Sequence, residues 1–191
     1  MKIISLSGAI GSGKDTAYEL LSDHYRADQL ICRKLSFANK LKDNLAHMFY
    51  WDRVRLEHDF DYKEGTTLDD GTPDPACEML GMTRRETMQL YGTDAVRAGL
   101  HDDAWVIALI LDIDNGVYDG VDVGFITDAR FLNELHFTKD SGGITLQINR
   151  TGDVKTLSDK TSHQSEHEWQ QWQQWSGIVS NHVDKTVDEE M

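Results

Sequence analysis

Nine residues near the start of the chain have the types and spacing to hold a phosphate group: Gly8-Ala9-Ile10-Gly11-Ser12-Gly13-Lys14-Asp15-Thr16. Glycine, four residues, then Gly-Lys is the spacing of a phosphate-binding loop (P-loop). The glycines let successive backbone N–H groups turn inward around an anion, and a helix starting at the lysine points its positive end at the same place. Lys14 would reach the oxygens of the phosphoryl group being transferred. The chemistry implied is binding of a nucleotide, ATP first, with Mg2+ as the usual companion of its phosphates. One position departs from the common pattern. Asp15 follows the lysine where a hydroxyl is usual, and the hydroxyl comes one place later, at Thr16. Direct ligation of Mg2+ by a loop hydroxyl is therefore in question, and the metal ligands stay unassigned.

A second group of residues follows an apolar run. Val123–Thr127 leads into Asp128-Ala129-Arg130-Phe131-Leu132-Asn133-Glu134. In an enzyme with such a loop, a carboxylate at the end of an apolar strand is placed to orient substrate or metal-bound water. Arg130, two residues on, lies on the same side of an extended chain as Asp128. The two could hold each other, or Arg130 could grip a phosphate with its planar fork. The blander reading is a helix-capping Asp and a surface arginine. A third group is Arg84, Arg85 and Arg97, with Gln89 and Gly92-Thr93 between them. They concentrate positive charge in a chain where 33 acidic residues outnumber 19 basic ones. Arginines facing an acceptor phosphate supply the charge neutralisation that phosphoryl transfer needs. Trp105 could stack on a base, although for tryptophan a core position is the default.

These groups need elements to hold them. Lys2–Ser7 reads as a buried strand and Asp15–Tyr25 as the helix after the loop. Cys32–Phe37 is a candidate strand, and Asn39–Tyr50 is a helix with Leu41, Leu45, Met48 and Phe49 at helical spacing. Glu57–Pro75, rich in Asp with Gly65, Gly71, Pro73 and Pro75, reads as a mobile acidic insertion. Thr83 caps a helix running to about Tyr91, with Glu86 completing a capping box. Further helices are predicted at Asp102–Ile113, Phe131–Lys139 and Ser165–Trp175, and strands at Val121–Thr127, Ile144–Asn149 and Gly177–Ser180. Trp169, Trp172 and Trp175 form one stripe on the Ser165–Trp175 helix, most simply a packing face. Strands alternating with helices predict an α/β fold with a mainly parallel sheet, and ligands in such sheets bind beyond the carboxyl ends of the strands.

The bulk properties fit one domain spanning 1–191, with a core of ordinary size. A net charge of −14 excludes a nucleic-acid polymer as ligand, since its backbone would be repelled. The longest apolar runs, Val106–Leu111 and Val121–Ile126, are too short to cross a membrane. Met1-Lys2-Ile3-Ile4 passes straight into a strand, which predicts a cytoplasmic protein. Cys32 and Cys77 read as two reduced thiols, and the histidines have no metal-ligating spacing. His163-Gln164-Ser165-Glu166 is a helix-start pattern. A homodimer is possible.

Taken together, the motifs resemble those of the bacteriophage deoxynucleoside monophosphate kinases. The resemblance rests on Gly-x-x-x-Ser-Gly-Lys-Asp-Thr, on Met-Gln-Leu-Tyr-Gly-Thr-Asp at 88–94, on Trp105, and on Asp128-Ala-Arg130-x-x-x-Glu134. It covers the chain from Met1 to about Asn181. Nucleoside monophosphate kinases share the displaced hydroxyl after the lysine, whereas GTPases do not, and the guanine signature Asn-Lys-x-Asp is missing. The resemblance implies a P-loop NTPase three-layer αβα fold with an inserted substrate-binding or lid region, for which 57–75 and 151–175 are the candidates. It implies ATP with Mg2+ in the loop Gly8–Thr16 and a deoxynucleoside monophosphate against Leu41, Lys42, Gly92, Thr93, Trp105, Asp128, Arg130 and Glu134. Arg85 best matches the family arginine before the Gln-x-x-Gly-Thr stretch, with Arg84 as the alternative, and Arg97 and Arg150 are further phosphate contacts. A family arginine near Lys63-Glu64 has no counterpart here. Lys14, Asp128, Arg130 and Arg85 are the expected catalytic groups. Two rivals remain open: another small-molecule kinase, acting on phosphomevalonate or dephospho-coenzyme A, and an ATP-binding module without catalysis. If the protein is viral, it acts in the host cytoplasm.

Overall fold

Ile3, Ile4 and Leu6 make Lys2–Ser7 an apolar, β-favouring run, and in the computed structural model it is the central strand, β1. Residues 1–151 and 163–182 are described. Among these residues four more strands flank β1: β2 (Cys32–Leu35), β3 (Val123–Ile126), β4 (Ile144–Thr151) and β5 (Gly177–His182). Their order is β2-β3-β1-β4-β5, and every neighbouring pair is parallel. The fold is α/β of the P-loop NTPase type, as expected. Parallel strands need helical crossovers, which cover both faces and account for β3, apolar and buried throughout.

The alternation along β1 assigns the two faces. Ile4 and Leu6, with Val123, Phe125 and Ile148, pack against Ala17, Tyr18, Leu21 and Tyr25 of α1 (Lys14–Ala27). The Tyr18 and Phe125 rings meet edge to face at 5.4 Å. Phe125 and Leu6 are fully buried, and each such side chain contributes about 2 kcal/mol relative to exposure. On the opposite face the Ser5 and Thr138 hydroxyls bond at 2.6 Å, tying β1 to α8 (Leu132–Asp140). Helices on both faces of one sheet make the three layers.

The chain divides into two compact units, Met1–Ser36 with Asp112–Met191, and Phe37–Leu111. The sheet, α1 and α8 belong to the first. The second contains α2 (Asn39–Phe49), α3 (Arg53–His58), α4 (Phe60–Glu64), α5 (Pro75–Leu80), α6 (Arg84–Gln89), a π-helix over Leu90–Ala98, and most of α7 (Ala104–Asp114). Among the described residues no helix is long and apolar enough to cross a membrane.

Three sequence expectations differ from the structure. Glu57–Pro75 is not one loop, for α3 ends and α4 lies within it. Its aspartates act as N-caps: Asp59 accepts from the Tyr62 N–H, and Asp74 from Ala76 and Cys77, with Pro75 at the first helical position. Asp beside Pro or Gly signals a turn and a helix start equally well. The helix from Thr83 does not stop near Tyr91; α6 runs on into the π-helix. Its capping box is present, Thr83 and Glu86 each accepting from the other's N–H. Ser165–Trp175 is not a continuous helix but two 3₁₀ turns, Gln164–Glu166 and Glu168–Gln171. Trp169 and Trp172 are nevertheless buried. Trp172 meets the His136 ring at 4.8 Å and donates to the Thr145 hydroxyl at 3.4 Å. Of the proposed lid 151–175, residues 152–162 lie outside the described residues.

Candidate functional site

Gly8 leaves the end of β1 and Lys14 opens α1. Between them Gly11 and Gly13 take left-handed φ of 73° and 97°, open only to glycine at little cost. A methyl at Gly8 would lie 2.3 Å from the Ile148 carbonyl oxygen and 2.7 Å from the Ser12 hydroxyl, so the loop's start is closed to any side chain. The turn itself is held by the Ser12 N–H donating to the Ala9 carbonyl at 3.1 Å. The Lys14 ammonium donates to the carbonyls of Gly8 and Ala9, both at 2.8 Å. The Ser12 hydroxyl is buried and has no hydrogen-bond partner among the described residues. A turn with glycine geometry, an ammonium resting on its carbonyls and an unsatisfied buried hydroxyl fits a phosphate chain.

Neighbouring strands brace this loop from outside. Arg150 at the end of β4 donates to the Gly11 carbonyl at 3.0 Å, and Asn181 of β5 to the Ser12 carbonyl at 3.2 Å. Arg150, expected as a phosphate contact, thus touches the loop backbone. Asp15 pairs with Lys34 at 2.7 Å and leaves Thr16 as the exposed hydroxyl of the first helical turn.

Asp128 follows β3, which lies directly beside β1. Its carboxylate accepts from the Ser36 hydroxyl at 2.5 Å, and the Ser7 hydroxyl donates to the Ala129 carbonyl at 2.7 Å. Both bonds fix the Asp128–Arg130 turn to the carboxyl ends of β1 and β2. Glu134, expected as a substrate contact, is buried and accepts from the N–H groups of Arg130 and Phe131 at 2.7 and 3.1 Å. Glu168 takes the Leu132 N–H at 2.9 Å. These carboxylates satisfy the first N–H groups of α8 and so set the direction in which Arg130 leaves the chain. Among the described residues, oxygen donors at these strand ends that could serve Mg2+ include the Asp128 carboxylate and the Ser12 and Thr16 hydroxyls. The described residues contain no group of three or more His, Cys, Asp or Glu placed to hold a metal. That donor set suits an ion carried mainly by phosphate oxygens and water.

In the second unit, Arg84 is completely buried. Its guanidinium donates to the Tyr62, Gly65 and Thr67 carbonyls at 3.1 Å and to the Asp74 carboxylate at 2.5 Å, with the Tyr62 ring 4.0 Å away. Burial alone would raise the Asp74 pKa, but the Cys77 N–H, Arg84 and the Ala76 N–H hold it below the usual carboxylate range. Arg84 therefore fastens the 59–75 segment from within, whereas its neighbour Arg85 is half-buried and pairs with Glu64 at 3.3 Å. Lys42 pairs with Glu57 at 2.7 Å, and Arg53 reaches the same carboxylate at 3.2 Å. Burial opposes the Glu57 charge, yet the two cations depress its pKa. Arg97 is buried against Asp102 at 3.0 Å. Leu41, Gly92 and Trp105 are brought together. A methyl on Gly92 would lie 2.4 Å from Leu41 Cδ1, and the Trp105 indole N–H donates to the Gly92 carbonyl at 2.9 Å. Gly92 and the half-buried Thr93 sit inside the π-helix, a conformation that is rare and frequent at functional sites.

No family model matches the chain. A protein of Acanthamoeba polyphaga mimivirus, named "Putative deoxynucleotide monophosphate kinase", is 29% identical over 203 residues, covering 99% of this chain and 92% of that protein. A kinase name over the full length agrees with the chemistry of the phosphate loop.

Sequence reading missed Ser36, Asn181 and Glu168. Ser36 and Asn181 follow or end strands, which is the one signal that could have found them. Glu168 lies 36 residues from the backbone N–H it satisfies, and no local pattern could reveal that.

Proposed function

We propose that the chain is an ATP-dependent deoxynucleoside monophosphate kinase. It moves the γ-phosphoryl group of ATP to the phosphate of a deoxynucleoside 5′-monophosphate, giving the diphosphate and ADP. The observation that carries this reading is the glycine loop at the end of the central parallel strand, with Asp128 held at the end of the strand beside it. The acceptor class is supported by the sequence motifs at Gly92-Thr93, at Trp105 and at Asp128–Glu134, and by the name of the mimivirus protein.

No covalent intermediate is needed. Backbone N–H groups of Gly8–Thr16 other than that of Ser12, which closes the turn on Ala9, hold the donor phosphates, and Lys14 exchanges the Gly8 and Ala9 carbonyls for phosphoryl oxygens. Asp128, kept in place by Ser36, presents a fixed carboxylate where a substrate hydroxyl or metal-bound water must be oriented. When bound, Mg2+ supplies further neutralisation of the donor oxygens, with Asp128 the residue to hold it or its water. Arg130 and Arg85 offset the charge that spreads over the transferred group. Leu41, Lys42, Thr93 and Trp105 receive the acceptor, with Trp105 also setting the position of Gly92.

The test is a panel of acceptors offered with ATP and Mg2+: the four deoxynucleoside monophosphates, their ribonucleotide counterparts, phosphomevalonate and dephospho-coenzyme A. Diphosphate formation from one or more deoxynucleotides is expected. Turnover confined to a non-nucleotide acceptor, or ATP binding without transfer to any of them, overturns the reading.

A further inference from the structure

A loop that turns its N–H groups toward an anion must turn its carbonyls outward, and each outward carbonyl needs a donor if the turn is to keep its hand. Among the described residues, four carbonyls of the loop have side-chain donors. Those of Gly8 and Ala9 are served by Lys14, the group that must leave them to reach a phosphate. Those of Gly11 and Ser12 are served from outside the loop, by Arg150 and Asn181. These two residues are register partners on β4 and β5, so one rung of the sheet braces two consecutive carbonyls. They differ in stiffness. Arg150 is an exposed, long side chain, whereas Asn181 is short and half-buried. Asn181 also lies against Gly13 itself: a methyl there would be 2.3 Å from its Nδ2.

We infer that Asn181 is a positioning residue of the phosphate loop. Its carboxamide holds the Ser12 carbonyl outward and covers the left-handed Gly13, so that the N–H groups before Lys14 face the donor phosphates. The role rests on the kinase reading only in taking this loop as the ATP site. Asn181 does not touch the reacting atoms; it acts through the backbone of Ser12 and Gly13.

The test uses the full chain without acceptor, titrated with ATP and separately with inorganic tripolyphosphate in a calorimeter, followed by steady-state kinetics. Asn181→Ala should weaken both ligands by the same factor, about tenfold for one lost hydrogen bond. The KM for ATP should rise with it, while the KM for the monophosphate and the ligand-free thermal midpoint stay near wild type. Asn181→Asp, of equal size, should weaken both ligands further, because an acceptor replaces the donor beside Ser12 and the phosphates. Unchanged binding in both variants overturns the inference. So does a loss for ATP but not tripolyphosphate, which would place Asn181 on the base, and so does an equal rise of both KM values with a falling midpoint. Failure of the wild-type chain to bind ATP or tripolyphosphate would sink the inference and the donor site together. The expected binding loss in a protein that phosphorylates no monophosphate would keep the inference and overturn the kinase reading alone.

Discussion

The Ser36 hydroxyl donates to the Asp128 carboxylate at 2.5 Å, joining the residues that follow two adjacent parallel strands. A carboxylate fixed in this way has lost its rotational freedom before any substrate arrives, which is the condition for orienting a proton or a metal-bound water at no further entropic cost. Asp128→Asn is expected to lower kcat by about a hundredfold or more with little change in ATP affinity. Ser36→Ala, which leaves the carboxylate but frees it, is expected to lower kcat by about tenfold. Equal losses in the two variants would show that the charge itself does nothing.

Lys14 makes a second and sharper prediction. Its ammonium rests on two carbonyls of its own loop, so removing it costs the folded chain two hydrogen bonds and, on the proposed reaction, a positive charge at the phosphoryl group. Lys14→Ala is expected to lower turnover by about three orders of magnitude. Its denaturant midpoint should stay close to that of the wild type. Near-normal turnover in the variant would remove Lys14 from the chemistry.

The Arg84–Asp74 pair predicts stability and not catalysis. Removing one partner leaves the other charge buried, so Arg84→Met is expected to cost about 3–5 kcal/mol in urea unfolding. The double variant Arg84→Met/Asp74→Leu should lose clearly less than the sum of the single changes. Because the Asp74 pKa is depressed in the folded chain, its contribution is fully present above the unfolded carboxylate pKa of about 4 and disappears as the pH falls through the folded value. Asp74→Asn should therefore be less stable at neutral pH and should show a flatter loss of stability in acid. Identical acid profiles for the two proteins would rule the pair out as a source of acid sensitivity.

The first unit was largely legible in the sequence because its signals are local. A β-favouring run, a glycine loop and an amphipathic helix name β1, the phosphate loop and α1, and Asp128 follows an apolar strand in plain view. The second unit was less so. The aspartates of 57–75 look like loop residues until their side chains are seen capping α4 and α5. Arg84 and Arg85 are adjacent and chemically identical, and only tertiary burial separates an interior fastener from a half-buried neighbour. The π-helix over Leu90–Ala98 has no period that a helix or strand template detects, so the sequence pattern ends the helix from Thr83 near Tyr91. Arg150 and Asn181 lie 139 and 169 residues from the carbonyls they serve, and that distance in sequence hides Asn181 altogether and the bracing contact of Arg150, which the sequence offers only as a phosphate contact.

Gly92 gives a last prediction, one that isolates the second unit. The Trp105 indole donates to its carbonyl, and Leu41 fills the space where a side chain would stand. Gly92→Ala must push Leu41 aside within a packed region, an overpacking expected to cost about 1–3 kcal/mol. Trp105→Phe deletes the indole donor to the Gly92 carbonyl, the loss of one buried hydrogen bond, at a cost of about 0.5–1.5 kcal/mol. If Leu41, Gly92 and Trp105 together shape the place where the monophosphate lies, both variants should raise its KM several-fold and leave the KM for ATP near wild type. The phosphate loop belongs to the other unit and its braces are untouched by either change. A selective rise in the ATP constant would therefore contradict the assignment of donor and acceptor to these two sets of residues, and loss of stability with both constants unchanged would make the trio a packing feature alone.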